Sequence, residues 1–92
     1  MTAIQKDLKI LVVEDNPGDF VLIEEYLSEG LKSPEVLNAR TFHEAEEYLN
    51  NHIGFHIILL DLSLPDLSGE PLVQKMMDLS GQIPVIVLTG YE

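Results

Sequence analysis

The sequence predicts an α/β protein in which helices cover both faces of a parallel β-sheet. Short apolar runs of strand length alternate along the 92 residues with longer segments whose apolar residues recur at helical spacing. Polar side chains directly follow three of the apolar runs, as in parallel sheets that bind ligands at the carboxyl ends of their strands. Since parallel strands need crossover connections, we expect right-handed β-α-β units within a single domain.

Four segments are expected to form the strands of this sheet. They are residues 8–13, 35–40, 56–60 and 83–88, of which the second is the weakest and the fourth the clearest. The fourth is rich in β-branched residues, and Pro84 stands near its start, where a missing backbone N–H is tolerated. The element order is therefore β-α-β-α-β-α-β, without a linker, a repeat or a low-complexity stretch.

The first helix is expected to begin after Asn16, which is a favourable N-cap, with Pro17 at the first helical position. Gly30 supplies a stop signal at the end of this helix. The apolar residues between these signals share one helix face: Phe20, Ile23 and Leu27.

The second and third helices carry similar signals. A capping box at residues 41–44 (Thr-Phe-His-Glu) opens the second helix, and Ser68 is expected to cap the third, which Gly81 follows. The residues expected to face inward are Ala45, Tyr48 and Leu49 on the second helix, and Leu72, Met76 and Leu79 on the third. We interpret Met76 and Met77 as core filling rather than as ligands.

Sixteen acidic residues against five basic residues give the chain a formal net charge of −11. This charge disfavours binding to nucleic acid, because it repels the phosphate backbone. Most of the acids are interpreted as lying on solvated helix faces, among them Glu24, Glu25, Glu29, Glu44, Glu46 and Glu47. Without cysteine the chain has no disulfide or thiolate metal site. It shows no apolar run of membrane-spanning length and no signal peptide, so we expect a cytoplasmic protein.

Carboxylates are predicted to converge at one edge of the sheet. Glu14 and Asp15 follow the first strand, Asp61 follows the third, and Thr89 follows the fourth. If the strand order is 2-1-3-4, these strand ends are neighbours in the crevice where the winding direction changes. Three carboxylates in one crevice repel each other, and a hard divalent cation that keeps several waters removes the conflict. The sequence therefore predicts a Mg²⁺ site, although each acid taken separately could also serve as a helix cap or a turn residue.

Asp61 differs from the other acids because it ends a buried central run, residues 57–60. A carboxylate beside a metal ion can attack phosphorus and form an acyl phosphate. The hydroxyl of Thr89 and the backbone N–H groups of Leu62 and Gly90 are expected to donate hydrogen bonds to the phosphoryl oxygens.

Three sequence blocks resemble the receiver domains of two-component response regulators. They are residues 11–17 (Leu-Val-Val-Glu-Asp-Asn-Pro), 60–69 (Leu-Asp-Leu-Ser-Leu-Pro-Asp-Leu-Ser-Gly) and 83–90 (Ile-Pro-Val-Ile-Val-Leu-Thr-Gly). Their order and spacing are those of the family, and they span nearly the whole chain. The resemblance implies a flavodoxin-like fold, a three-layer sandwich whose full sheet has the order 2-1-3-4-5.

The resemblance also implies roles for individual residues. Asp61 would be the phosphoacceptor, Thr89 the switch hydroxyl, and Gly69 the residue that relieves crowding where the chain enters its third helix. Mg²⁺ would be held by Glu14, Asp15, Asp61 and the backbone carbonyl of Ser63. The implied phosphodonor is a phosphohistidine on a sensor histidine kinase or a phosphotransfer protein. Such a receiver is a signalling module rather than an enzyme, although it catalyses its own aspartyl phosphorylation and dephosphorylation.

The chain departs from the family pattern in two ways. Its acidic pair is Glu-Asp instead of Asp-Asp, which should leave metal binding intact. The sequence also ends at Glu92, whereas receivers continue through a fourth helix, a fifth strand and a fifth helix, so we expect residues 1–92 to be a receiver that is incomplete at its C-terminus. A strand left bare at the sheet edge predicts a homodimer, formed through the fourth strand or by exchange of elements.

Three other functions compete with this interpretation. A phosphohydrolase of the haloacid dehalogenase type also uses a strand-end aspartate with Mg²⁺, but it needs a second aspartate where this chain has Ser63. A flavin-binding flavodoxin needs hydroxyl and N–H groups where the first loop offers carboxylates. A degenerate receiver would serve only as a protein-interaction module, and formation of an acyl phosphate separates an active receiver from that alternative.

Overall fold

The structure is a computed structural model that describes residues 7–88, which form four strands and three helices in the predicted alternating order. The elements are β1 (Lys9–Val13), α1 (Pro17–Gly30), β2 (Glu35–Ala39), α2 (Phe42–Asn51), β3 (Ile57–Asp61), α3 (Gly69–Ser80) and β4 (Val85–Leu88). The strand ends differ slightly from the predicted ones, and β3 includes Asp61 as its last residue.

The four strands form one parallel sheet in the predicted order, β2-β1-β3-β4. Leu11 on β1 pairs in register with Leu37 on β2 and with Ile58 on β3, and Ile58 pairs in turn with Val85 on β4. The chain runs from β1 outward to β2 and then back across β1 to β3, so the winding direction changes between β1 and β3. The carboxyl ends of these two strands therefore border the crevice in which open α/β sheets bind ligands.

Different helices cover the two faces of the sheet, which confirms the three-layer flavodoxin-like sandwich. On one face, Ala45 of α2 and Leu72 and Met76 of α3 are fully buried among the inward-facing strand residues. On the other face, α1 packs its half-buried apolar residues on Ile10 and Val12. These residues are the predicted inner face of α1: Phe20, Ile23 and Leu27.

The predicted caps of the first two helices are present. The side-chain oxygen of Asn16 accepts a hydrogen bond from the N–H of Asp19 at 3.0 Å, and the hydroxyl of Thr41 accepts one from the N–H of Glu44 at 3.0 Å. The second half of the capping box differs from the prediction, because the Glu44 carboxylate accepts the N–H of Arg40 at 2.7 Å.

Two expectations on α3 are wrong. Ser68 occupies the N-cap position, but its side chain makes no capping hydrogen bond. Its backbone is extended and forms an isolated antiparallel bridge to Ser63, so the loop rather than the hydroxyl sets the start of the helix. Met77 is 54% exposed, because one helical step of about 100° turns it away from the sheet that buries its neighbour Met76.

β4 is an edge strand of the sheet formed by residues 7–88. Two of its apolar side chains are exposed, Ile86 at 47% and Val87 at 38%, and they point to opposite faces because side chains alternate along a strand. None of the three helices described is long and apolar enough to cross a membrane.

Candidate metal centre

The side chains of Glu14, Asp15 and Asp61 meet at the carboxyl edge of the sheet. One carboxylate oxygen from each residue lies within 4.8 Å of the other two. Glu14 and Asp15 directly follow β1, and Asp61 is the last residue of β3. The register pair Val13 and Leu60 stands immediately before these acids, so the pairing of β1 with β3 brings the three carboxylates together.

Glu14 is the most firmly held of the three acids. Its side chain is buried, with 6% of the residue exposed, and its carboxylate accepts a hydrogen bond from the N–H of Asn16 at 3.2 Å. Its backbone N–H donates to the carbonyl oxygen of Ala39 at 2.9 Å, and its own carbonyl oxygen accepts from the side-chain amide of Asn38 at 3.1 Å. Glu14 is therefore fixed at three points, whereas Asp15 and Asp61 are half-buried.

Burial and the charge of neighbouring acids disfavour the charged forms of Glu14 and Asp61. Burial raises the pKa of Glu14 above its usual range against the opposing effect of the Asn16 N–H, and the charges of Asp61 and Asp15 add to the rise. Burial also raises the pKa of Asp61; the N–H of Ser63 opposes this, and the charge of Asp15 adds to it. The site as it stands therefore holds more negative charge than its surroundings stabilise.

The donor set fits a hard divalent cation. Within residues 7–88, the one contact of salt-bridge length joins His43 to Glu47, so no lysine or arginine there is paired with the three acids. All three converging groups offer carboxylate oxygens, the ligands that Mg²⁺ prefers, and the half-exposed positions of Asp15 and Asp61 leave access for water ligands. A bound Mg²⁺ would balance the negative charge that, together with burial, raises the pKa values of Glu14 and Asp61.

The loop between β3 and α3 carries two more of the predicted site residues. The backbone N–H groups of Leu62 and Ser63 interact with the Asp61 carboxylate and lower its pKa, against the larger effect of burial. The loop is closed by the bridge between Ser63 and Ser68 and by a hydrogen bond of 2.9 Å from the Gly69 N–H to the Leu62 carbonyl. Gly69 has a φ of +66°, in the left-handed region that favours glycine. The donor role of Leu62 and the ligand role of Ser63 stay predictions.

Asp66, in the same loop, is a residue whose role the sequence reasoning did not anticipate. Its two carboxylate oxygens accept the backbone N–H groups of Phe42 at 2.9 Å and of His43 at 3.0 Å, at the start of α2. Its slight burial tends to raise the pKa of Asp66, but these hydrogen bonds outweigh that effect and hold the pKa below its usual range. Aspartate is a favoured capping residue, yet nothing in the local sequence indicates that this one caps a helix elsewhere in the chain.

Thr89 and Gly90 lie outside the described residues, so their predicted roles stay predictions. β4 ends at Leu88, which pairs in register with Asp61. Thr89 is thus the residue that follows, in sequence, the β4 position beside the candidate acceptor.

Comparison with known proteins gives the same family by sequence and by structure. A family model described as the response regulator receiver domain matches residues 10–92. The transcriptional regulatory protein PhoP of Escherichia coli K12 is 34% identical over 87 residues, which cover 92% of this chain and 37% of PhoP. The phosphorylated cyanobacterial phytochrome response regulator RcpA matches with a TM-score of 0.81 and 34% identity, over 94% of this chain and 67% of that one. A response regulator of Burkholderia pseudomallei, solved with a phosphorylated aspartic acid, a calcium ion and citrate, matches with a TM-score of 0.75 and 29% identity, over 94% of this chain and 49% of that one.

The likeness covers nearly all of this chain but only part of each relative. The chain spans 37% of the length of PhoP and between 49% and 67% of the two solved response regulators. The sheet order and the acidic crevice lie within the matched residues. The chain belongs to the family of response regulator receiver domains, the signalling modules of two-component systems.

Proposed function

We propose that this chain accepts a phosphoryl group on Asp61 from a phosphohistidine, in a reaction that depends on Mg²⁺. The observation that carries the proposal is the position of Asp61 at the end of β3, within 4.8 Å of two further carboxylates in an acidic crevice. The Burkholderia pseudomallei response regulator, which was solved with a phosphorylated aspartic acid and a calcium ion, supports the proposal of an aspartate acceptor.

In this reaction Asp61 is the nucleophile. One of its carboxylate oxygens attacks phosphorus, an O–P bond forms as the N–P bond of the phosphohistidine breaks, and the electron pair of that bond stays on the donor imidazole. Asp61 is half-buried, so its carboxylate is both held by β3 and open to a donor on the sheet edge. The product is an acyl phosphate.

The neighbouring residues would hold the cation and the transferred group. Glu14, Asp15, Asp61 and the Ser63 carbonyl are the proposed ligands of Mg²⁺, which when bound supplies the positive charge that the phosphoryl oxygens need. The N–H groups of Leu62 and Gly90 and the hydroxyl of Thr89 would donate hydrogen bonds to those oxygens. Water that enters the same site would later hydrolyse the acyl phosphate, so the chain would catalyse both its own phosphorylation and its own dephosphorylation.

The proposed partners follow from this chemistry and from the surface. A sensor histidine kinase or a phosphotransfer protein would supply the phosphoryl group, while the net charge of −11 disfavours direct binding to nucleic acid. We also propose that the chain forms a homodimer, through β4 or by exchange of elements. Ile86 and Val87 are exposed on β4, an edge strand of the sheet within residues 7–88, whose outer N–H and C=O groups can pair with a second copy.

Acetyl phosphate, a small-molecule phosphodonor, tests the function without a kinase. We expect intact-protein mass spectrometry to find one added phosphoryl group in the parent chain with Mg²⁺, and none after chelation. Asp61→Asn, which is nearly isosteric, should form no adduct, while the control Asp78→Asn on α3 should behave as the parent does. An adduct of equal yield in Asp61→Asn would place the acceptor elsewhere. A folded parent without any adduct would favour a module that serves only for protein interaction.

A further inference from the structure

Asn38 is a polar residue inside the sheet. It lies on β2 between Leu37 and Ala39, in register with Val12 of β1, and its side chain is half-buried. Asparagine is depleted in strands, because its short amide competes with the backbone for hydrogen bonds. A half-buried polar side chain in this position therefore needs specific hydrogen-bond partners.

Among residues 7–88, the side-chain amide of Asn38 has only carbonyl oxygens as its partners. Its nitrogen donates to the carbonyl of Val12 at 3.0 Å, to that of Glu14 at 3.1 Å and, at a longer 3.3 Å, to that of Ala39. If the amide were flipped, its oxygen would face these carbonyl oxygens and could not accept a hydrogen bond from them. The hydrogen-bond partners therefore determine which way the amide points. Asn38 is thus a donor that joins β2 to the end of β1.

The bond to Glu14 reaches a point where the strand pairing has ended. The register between β1 and β2 stops at Val13 and Ala39, and the Glu14 N–H makes a last bond to the Ala39 carbonyl. The Glu14 carbonyl lies beyond this register and is bound by Asn38. That carbonyl belongs to the peptide unit that joins Glu14 to Asp15, so holding it sets the plane from which both acids extend.

We propose that Asn38 is a positioning residue for the metal centre: its amide fixes the Glu14–Asp15 peptide and so holds both carboxylates in a geometry ready for the cation. The metal-binding part of this proposal rests on the proposed function. Asn38 bonds to no carboxylate of the site and is uncharged, so it orients the two acids through their backbone without changing the charge of the site. Residues that orient metal ligands typically change metal affinity by about 10–100-fold when they are mutated.

Asn38→Val tests the proposal, because valine suits a half-buried strand position but has no donor. Calorimetric titration of the metal-free chain with Mg²⁺ should give a Kd about tenfold higher in this variant than in the parent, at the lower end of the effects known for such residues. The Mg²⁺ concentration that gives half-maximal phosphorylation by acetyl phosphate should rise in parallel. The matched control is Val36→Ala, which removes apolar contacts from the same strand but no bond to Glu14. This control should lower the Tm and leave the Kd for Mg²⁺ unchanged.

The outcomes separate positioning from a merely structural role. An Asn38→Val chain that has a lower Tm but the parent Kd for Mg²⁺ overturns the proposal. If Asn38→Val does not fold, Asn38→Ala, which also has no side-chain donor, replaces it, and the same comparison of Kd with Val36→Ala applies. A parent chain that binds no Mg²⁺ overturns both the proposed function and this proposal, whereas equal binding by the parent and the Asn38 variants overturns this proposal alone.

Discussion

The Asp66 carboxylate accepts a hydrogen bond from the backbone N–H of Phe42 at 2.9 Å, although 24 residues separate them in the sequence. The second oxygen of the same carboxylate binds the next N–H, that of His43. The loop after the candidate acceptor is thereby fastened to the start of α2. A carboxylate at this end of a helix also interacts favourably with the helix dipole.

We predict that Asp66→Asn destabilises the fold by about 1 kcal/mol, the net contribution of a typical hydrogen bond. The asparagine amide would place an NH₂ group opposite one of the two backbone N–H groups whose hydrogen bonds the carboxylate accepts, so that one of these bonds would be lost. For a domain of this size, a loss of 1 kcal/mol lowers the Tm by about 4–8 °C. Thermal unfolding followed by circular dichroism measures the change. Asp78→Asn, an equal loss of charge at an exposed position on α3, is the control and should leave the Tm close to that of the parent.

The difference in the free energy of unfolding between the parent and Asp66→Asn should depend on pH. The pKa of Asp66 is lowered in the folded state, so the stability that its charged form contributes is fully present above the ordinary value of 3.8 and is lost as the pH falls through the folded pKa. Urea unfolding of both chains from neutral to acidic pH should show their curves converging at the acid end. A gap in stability that stays constant at every pH would mean that the carboxylate charge has no part in the cap.

Mg²⁺ should stabilise the chain, because an ion that binds only the folded state shifts the folding equilibrium. With about 10 mM ion and a millimolar Kd, the gain is roughly 1.4 kcal/mol. The double variant Glu14→Gln with Asp15→Asn should lose this gain, which chemical denaturation with and without MgCl₂ would measure. NaCl at equal ionic strength is the control for general screening. If Mg²⁺ stabilised the double variant as much as the parent, Glu14 and Asp15 would not be part of the metal site.

Without Mg²⁺, Glu14→Gln should make the chain more stable at neutral pH. Burial raises the pKa of Glu14, so its charged form destabilises the fold above that raised pKa, and the penalty disappears below the ordinary value of 4.5. Glutamine keeps an oxygen that can accept the Asn16 N–H and carries no charge. Denaturation of both chains at neutral and acidic pH should show the advantage of the variant shrinking as the pH falls. A variant less stable than the parent at neutral pH would contradict this account.

The homodimer proposed through β4 should be sensitive to charge on that strand. We expect sedimentation at micromolar concentration to find dimers of the parent chain, and Ile86→Lys to shift the population to monomers, because lysine on an edge strand opposes pairing with another chain. The matched control is Met77→Lys, which replaces an exposed apolar residue on α3 and should leave the dimer in place. A parent that is monomeric at every concentration would rule out this interface.

The alternation of strands and helices could be predicted from local patterns, and the strand order from the resemblance to receiver domains. Together they predicted the meeting of three acids. Buried apolar runs indicate strands, and the residues directly after them must lie at the carboxyl edge of a parallel sheet. The roles of Asp66 and Asn38 could not be predicted in this way. Each depends on contacts between parts of the chain that are far apart in sequence, and a single aspartate or asparagine does not indicate which distant backbone groups it will meet.

The two predictions on α3 that were wrong also depended on contacts that the local sequence does not show. Ser68 is a favourable capping residue by type, but the bridge to Ser63 fixes its backbone while its hydroxyl makes no capping bond. Met76 and Met77 are residues of the same type, and only their positions around the helix axis relative to the sheet determine which one is buried. Local preference identifies such residues as candidates, and tertiary packing then determines their roles.

The adjacency of β1 and β3 also bears on how the protein is made. Strands β1 and β2 can pair as soon as both have left the ribosome, but Glu14 and Asp15 have no partner carboxylate until β3 has been synthesised and has docked on the other side of β1. A nascent chain that ends before Asp61 therefore has neither the acceptor nor the complete set of acids. Cation binding should accordingly appear only after β3 has docked on β1, and it would report that the central strand pair has formed.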